Sequence, residues 1–282
     1  MTTIYKTETG RQEILRGYEQ VLSNWPVPAE RRHVPTGEGD TFVLVCGPED
    51  APPLVLLHGS GSNAAMWAGD VTAWSEHFRV FAIDLIGEPG LSAPSRPPLD
   101  SEAHARWLDE VLAQLGVGSV SLVGISLGGW LALDYATRRP ERVAQLVLLC
   151  PGGVGRQKFG YLLPVLCYKA FGKWGVRRSI KAVAGVDPAE LPEVADYLTL
   201  IFTHFLPRRD RLPLFSDEAL RGLKMPVLVI AGARDAMFDS HDTAKRIQEN
   251  VPHAKVTVLP DVAHSIVGQT GPILDFLRVK AR

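Results

Sequence analysis

The sequence predicts an α/β protein, a doubly wound sheet with helices packed on both faces. Three observations carry that expectation. From residue 53 onward, short apolar runs alternate with helix-like segments. Those runs are apolar at consecutive positions, as parallel strands covered on both sides are, and do not alternate polar with apolar. One long stretch, from Gly152 to about Lys224, carries no such run and interrupts the alternation.

Residues 11–24 read as a helix, and RRHVPT and DTFVLV, joined by the turn-rich GEGD, read as an antiparallel strand pair. The alternation then proceeds through a strand at 53–58, a helix from Trp67 to His77, a strand at 79–84, a helix from Ser101 to Leu115 and a strand at 119–124. A helix from Leu127 to Arg138, a strand at 142–149, a strand at 226–232, a helix after Ser240, a strand at 255–260 and a helix near 272–279 complete it. The interrupting stretch is helical and aromatic-rich, punctuated by Pro164, Pro188, Pro192, Pro207 and Pro213. It reads as an inserted helical cap over 152–224, dividing a core formed by 1–151 and 225–282. Within it, residues 156–181 carry Arg156, Lys158, Lys169, Lys173, Arg177, Arg178 and Lys181 with no acid, among Phe159, Tyr161, Tyr168, Phe171 and Trp174. Such a segment suits a lid for an anionic substrate or membrane surface, but a solvated face offset by Asp187, Glu190, Glu193 and Asp196 is the simpler account.

Composition narrows the function classes. The 282 residues are 46% hydrophobic and 22% charged, values of an ordinary globular chain with a sizeable core. Thirty basic against thirty-one acidic residues give a net charge of −1, which argues against a nucleic-acid partner. Cys46, Cys150 and Cys167 form no C-x-x-C pair or disulfide framework, the polar N-terminus has no signal pattern, and no apolar run is long enough to span a bilayer. The expectation is a cytoplasmic protein with no membrane span. Neither a G-K-[ST] phosphate loop, nor H-E-x-x-H, nor a spaced Cys/His cluster occurs, so neither cofactor nor metal is expected.

The chemistry concentrates in Gly124-Ile125-Ser126-Leu127-Gly128, which follows one strand directly and opens a helix. G-x-S-x-G marks a serine on a sharp strand-to-helix turn, where small residues two before and two after it prevent a clash. The helix N-terminus aimed at the serine favours negative charge on a bound oxygen. A serine hydroxyl is a weak nucleophile and needs a base, usually a histidine oriented by a carboxylate. Asp235 follows the strand PVLVIAG and His264 follows KVTVLP, both at the strand ends where open α/β sheets place their sites. Ser126, Asp235, His264 is the chain order expected for this motif. Asp239 and Asp242 are rivals for the acid, and Asp261 reads as a loop-shaping residue. His33, His77, His104, His204, His241 and His253 lie on helices, caps or early polar segments and are expected to face solvent.

An oxyanion hole needs two backbone N–H groups. Leu127, next to the serine, supplies one, and Ser60 in His58-Gly59-Ser60-Gly61 the other. Gly59-x-Gly61-x-x-Ala64, with Asp84 at the end of the next strand, is also nearly a dinucleotide fingerprint. The hairpin-like start before the first strand, and His58 where a tight glycine turn usually begins, lower that reading.

LLHGSGSNAAMW, FAIDLIGEPGLSAP, GISLGGWLAL, RRPERVAQLVLL, AGARD and VAHS, in that order, resemble the α/β-hydrolase superfamily from about Arg31 to Arg282. The resemblance implies the α/β-hydrolase fold, a mainly parallel eight-stranded sheet with the cap inserted after the sixth strand. It also implies a triad of Ser126, Asp235 and His264. A serine at the elbow separates the chain from the dehalogenase and epoxide-hydrolase branches, which use aspartate there. Ser265 stands where the branch cleaving C–C bonds tends to place tryptophan. Asp84-Leu85-Ile86-Gly87-Glu88-Pro89-Gly90 departs from the superfamily's D-x-x-G-x-G-x-S and, with ILRGYEQVL, resembles bacterial carboxylesterases. The expected activity is cleavage of small-molecule carboxylic esters through an acyl-enzyme, with C–C hydrolysis and a hydrolase-like ligand-binding protein as the alternatives.

Overall fold

The computed structural model describes residues 3–279, with the side chain of Lys169 left out. The outermost positions of the expected core segments, 1–2 and 280–282, lie outside the described residues. Helix α1 (Glu8–Ser23) begins three residues before its expected start, because the Thr7 hydroxyl oxygen accepts the Gly10 N–H at 3.0 Å and caps it. Strands β1 (Ala29–Thr36) and β2 (Gly39–Cys46) form the expected antiparallel pair, in register from Ala29 opposite Cys46 to Thr36 opposite Gly39. There follow β3 (Pro53–Leu57), α2 (Val71–Ser75), β4 (Arg79–Ile83), α3 (Ala103–Gln114), β5 (Val120–Ile125), α4 (Leu127–Arg138) and β6 (Val143–Leu149). The helix expected from Trp67 to His77 is instead a short 3-10 turn at Ala64–Trp67 followed by α2.

After β6 the chain forms α5 (Leu162–Tyr168), α6 (Gly172–Ala184), α7 (Pro192–His204) and α8 (Asp217–Arg221) before it returns to the sheet. It closes with β7 (Val227–Gly232), α9 (Ser240–Asn250), β8 (Lys255–Leu259) and α10 (Thr270–Arg278). The eight strands form one sheet in the order β1-β2-β4-β3-β5-β6-β7-β8. Only the pairings of β2 are antiparallel; β3, β4, β5, β6, β7 and β8 pair in parallel, so their C-terminal ends lie along one edge.

Alternate residues of each strand feed two cores. Val55, Leu57, Leu122 and Leu146 pack with Trp107 of α3, Trp130 of α4 and Ile247 of α9 on one face. Leu54, Leu56, Val123 and Val147 pack with Tyr18 of α1, Trp74 of α2 and Phe276 of α10 on the other. Burying a large apolar side chain contributes about 1.5–3 kcal/mol, so a sheet filled from both sides gives the loops at its edge a rigid base. Among the described residues, no helix is long and apolar enough to cross a membrane.

Candidate active site

The candidate residues lie in the segments that leave the C-terminal ends of the parallel strands. The His58–Gly61 loop leaves β3, Asp84 leaves β4, Ser126 leaves β5, and Asp235 and His264 lie in the loops after β7 and β8. The register keeps these ends level, with Leu57 beside Gly124, Ile125 beside Leu149 and Gly232 beside Leu259.

Ser126 is one of two non-glycine residues with positive φ among those described, at φ 55° and ψ −111°. Such a backbone costs on the order of 1–3 kcal/mol and persists only where its surroundings enforce it. Here the enforcement is visible. Ser126 N–H donates to Leu149 O at 2.9 Å, and Ser126 O accepts from Trp130 N–H and Gly152 N–H. The flanking glycines are required by contact: a Cβ on Gly124 would meet Gly128 O at 2.3 Å, and one on Gly128 would meet Leu57 O at 2.1 Å. The turn therefore sets Ser126 at the head of α4, with Leu127 as the first helical residue.

Asp235 is 2% exposed and His264 8% exposed, and His264 Nδ1 lies 2.7 Å from Asp235 Oδ2. An ionised carboxylate only accepts, so Nδ1 carries the proton and Nε2 keeps the lone pair that a general base needs. The other carboxylate oxygen accepts the N–H groups of Met237 at 2.7 Å and Phe238 at 3.1 Å. Burial raises the Asp235 pKa, but the His264 hydrogen bond and charge, with these two N–H donors, outweigh it and leave the carboxyl below its usual value. The rivals are committed elsewhere. Asp239 caps α9 by accepting Asp242 N–H, Asp242 accepts Arg156 N–H, and Asp261 pairs with Arg234 at the surface.

On the side of the expected oxyanion hole, a Cβ on Gly59 would stand 3.5 Å from the Ser126 Cβ, which places the Gly59–Ser60 peptide beside Ser126. Sequence reasoning missed what holds this loop. Glu88, 1% exposed, accepts the Gly61 N–H at 2.6 Å and the Ser60 hydroxyl at 3.1 Å. Asp84 accepts the Tyr18 hydroxyl and the N–H groups of Ala64 and Leu91, each at 2.8 Å. His58 Nε2 accepts Leu85 N–H at 2.9 Å, and the Asn63 amide donates to Pro89 O at 2.9 Å. The dinucleotide reading fails here: the carboxylate that would take a ribose hydroxyl is buried and fully engaged in loop anchoring.

A second unforeseen neighbour is Cys150, buried at the end of β6 with φ 40°. Its thiol pKa is raised well above normal, first by burial and then by the charge of Asp235, so it stays protonated. Cys150, Asp235 and His264 offer donor atoms within 4.8 Å of one another, yet the carboxylate and imidazole are already spent on each other. The rule that picked out the ends of β7 and β8 applied equally to β6. The histidine expectation needs one correction. His104 is buried, edge-on to Trp130, and burial together with the charge of Arg208 lowers its pKa to about 4. Its helix packs a wider face than the apolar spacing implied.

The fold recurs in known proteins. A model described as "Alpha/beta hydrolase family" matches residues 54–274. The chain belongs to this family. Within the α/β hydrolases it is 31% identical over 260 residues to carboxylesterase YbfK of Bacillus subtilis (strain 168), covering 88% of this chain and 86% of that protein. The crystal structure of naproxen esterase from Bacillus subtilis superposes with a TM-score of 0.80 at 27% identity, covering 97% of this chain and 98% of that one. A 2-hydroxy-6-oxononadienedioate/2-hydroxy-6-oxononatrienedioate hydrolase of Burkholderia vietnamiensis (strain G4 / LMG 22486) is 31% identical over 75% of this α/β hydrolase and 80% of its own length.

Proposed function

We propose that this α/β hydrolase is a serine carboxylesterase that works through an acyl-enzyme. The observation that carries the reading is the forced backbone of Ser126, on the same sheet edge as a buried, hydrogen-bonded Asp235–His264 pair. The similarity to carboxylesterases over most of both chains supports it. Ser126 Oγ attacks the ester carbonyl carbon while its proton passes to His264 Nε2. The carbonyl oxygen becomes an oxyanion held by the N–H groups of Ser60 and Leu127. Collapse breaks the C–O bond, and the departing alkoxide takes the proton from His264. Water then repeats the sequence on the acyl-enzyme, giving the carboxylic acid and restoring Ser126. Asp235 stabilises the transient imidazolium and keeps the proton on Nδ1. Water is the only co-reactant, so the cycle needs no cofactor or metal.

In this reading residues 152–224 form a cap that touches both sides of the site. The Phe202 ring of α7 fills the space over Gly61, and Ala184 O at the end of α6 accepts Ser265 N–H at 2.9 Å. A cytoplasmic location belongs to the same reading and is supported by three free cysteines, two of them buried. The test is hydrolysis of p-nitrophenyl acetate, butyrate and octanoate by the wild type and Ser126→Ala. The wild type turns over at least one ester, and the variant loses at least about 10⁴-fold in kcat. Equal rates would refute the nucleophile, and turnover of a vinylogous 1,5-diketone with no ester hydrolysis would move the assignment to C–C cleavage.

A further inference from the structure

Glu88 is a buried acid that the triad does not use. It lies in the segment where this chain departs from the superfamily's D-x-x-G-x-G-x-S, reading Gly87-Glu88-Pro89-Gly90. An isolated buried carboxylate is costly, and one that persists is normally held by donors. Its donors here are the Gly61 N–H and the Ser60 hydroxyl, both in the loop whose backbone faces the nucleophile. Gly61 has φ 69°, and the Phe202 ring occupies the space a Cβ would take, so the loop is clamped between Glu88 on one side and α7 on the other. The hydroxyl and the following peptide of Ser60 are thereby both spoken for, which sets the orientation of the Ser60 peptide N–H.

We infer that Glu88 is a positioning residue that holds the Ser60–Gly61 turn so that the Ser60 N–H meets the developing oxyanion. The inference rests on the serine-esterase reading and deepens it. Charge-assisted bonds are roughly twice as strong as neutral ones, so the ionised carboxylate is the form that grips the turn. Burial lifts the Glu88 pKa to about 7, against the Gly61 N–H, Arg96, the Ser60 hydroxyl and Arg208, which all pull it down. The charged and titratable groups around it are Arg96 on its own segment, Arg208 with its partner Asp210 from the stretch after α7, and Tyr5 near the N-terminus. The grip thus strengthens as pH rises through neutrality, and kcat gains a second acid-side ionisation beside that of the general base.

The experiment measures kcat and KM for p-nitrophenyl butyrate from pH 5.5 to 9 for the wild type, Glu88→Gln and Glu88→Ala, with inhibition by an arylboronic acid as the tetrahedral mimic. Glu88→Ala lowers kcat about 10- to 100-fold with KM within about threefold, and weakens the boronate by the same factor as kcat. Glu88→Gln keeps an acceptor for Gly61 N–H but not the charge, so its kcat falls between those of Glu88→Ala and the wild type at pH 8, and it shows a single-proton acid limb where the wild type shows two. A Glu88→Ala enzyme with wild-type kcat and boronate affinity overturns the assignment. If the alanine variant does not fold, a Glu88→Gln acid limb identical to the wild type overturns it equally. Ser126→Ala is run alongside: activity surviving in that variant sinks the serine-esterase reading and not the role of Glu88 alone.

Discussion

The loop from His58 to Ala64, which leaves β3, and the helices α5 and α6, which follow β6, are built in opposite ways. The loop is tied to residues 84–91 by His58, Asn63, Asp84 and Glu88, all buried and all hydrogen-bonded. Helix α5 has no buried residue, and Leu163, Leu166, Phe171 and Trp174 are each more than half exposed. In α6 only Gly175 and Ile180 are buried. In the proposed esterase the contrast separates two tasks. Oxyanion donors act only if they are already placed before charge develops, which demands a rigid polar network. Accommodating acyl chains of different size demands an apolar surface that can yield, and weakly packed segments supply it.

Four predictions sharpen or break this contrast. The largest effect is expected at the rigid side: His264→Ala should cost about 10⁴-fold or more in kcat while the fold persists, measured by steady-state kinetics beside circular dichroism. Next comes the backbone. Gly128→Ala forces a Cβ against Leu57 O and His58 O and should destabilise by about 3–5 kcal/mol in urea unfolding or prevent folding. Gly160→Ala, just ahead of α5 with open space around it, should change stability by less than about 0.5 kcal/mol. Equal tolerance at both positions would dissolve the distinction.

The third concerns pH. The Glu88 pKa moves from 4.5 to about 7 on burial, so the native state keeps this proton longer than the unfolded chain. Between those values the Glu88 contribution to stability falls as pH rises, by at most about 3 kcal/mol. Asp84, raised by burial to about 6, acts in the same direction, whereas His58, lowered by burial to about 4, acts in the opposite one. The clean observable is the difference between variants: Glu88→Gln should gain stability over the wild type at pH 8 and lose that gain by pH 5. An unchanging difference would mean that Glu88 does not titrate in the folded protein. The smallest effect is expected at the yielding side. Leu163→Ser with Leu166→Ser should leave unfolding within about 1 kcal/mol and raise KM for the octanoate about 2- to 5-fold, with acetate unaffected.

The same contrast explains what the sequence revealed. The strands of the parallel sheet were legible because burial on both faces demands uninterrupted apolar runs, and the elbow because Gly124 and Gly128 leave a spacing that sterics require. The sequence favoured Asp235 and kept Asp239 and Asp242 as rivals, since all three sit in one turn-rich stretch, and the fold shows that His264 reaches the Asp235 carboxylate. The anchoring roles of Glu88 and Asp84 and the placement of Cys150 stayed hidden for a related reason. Their partners lie 27, 20 and 85 residues away in the chain, at Gly61, Ala64 and Asp235, and no local periodicity records such pairing. The split of the helix expected from Trp67 to His77 was equally unreadable, because its apolar residues pack on the sheet whether or not the turns between them are continuous.

The central claim is that Ser126 is the nucleophile, and covalent labelling tests it most directly. The protein is treated with a fluorophosphonate, assayed for residual ester hydrolysis, and digested for peptide mass spectrometry. The account predicts one phosphonyl adduct, on Ser126, forming in step with loss of activity and absent from His264→Ala on the same time scale. Full loss of activity with Ser126 unmodified, or a fully labelled Ser126 in an enzyme that still hydrolyses esters, would contradict it.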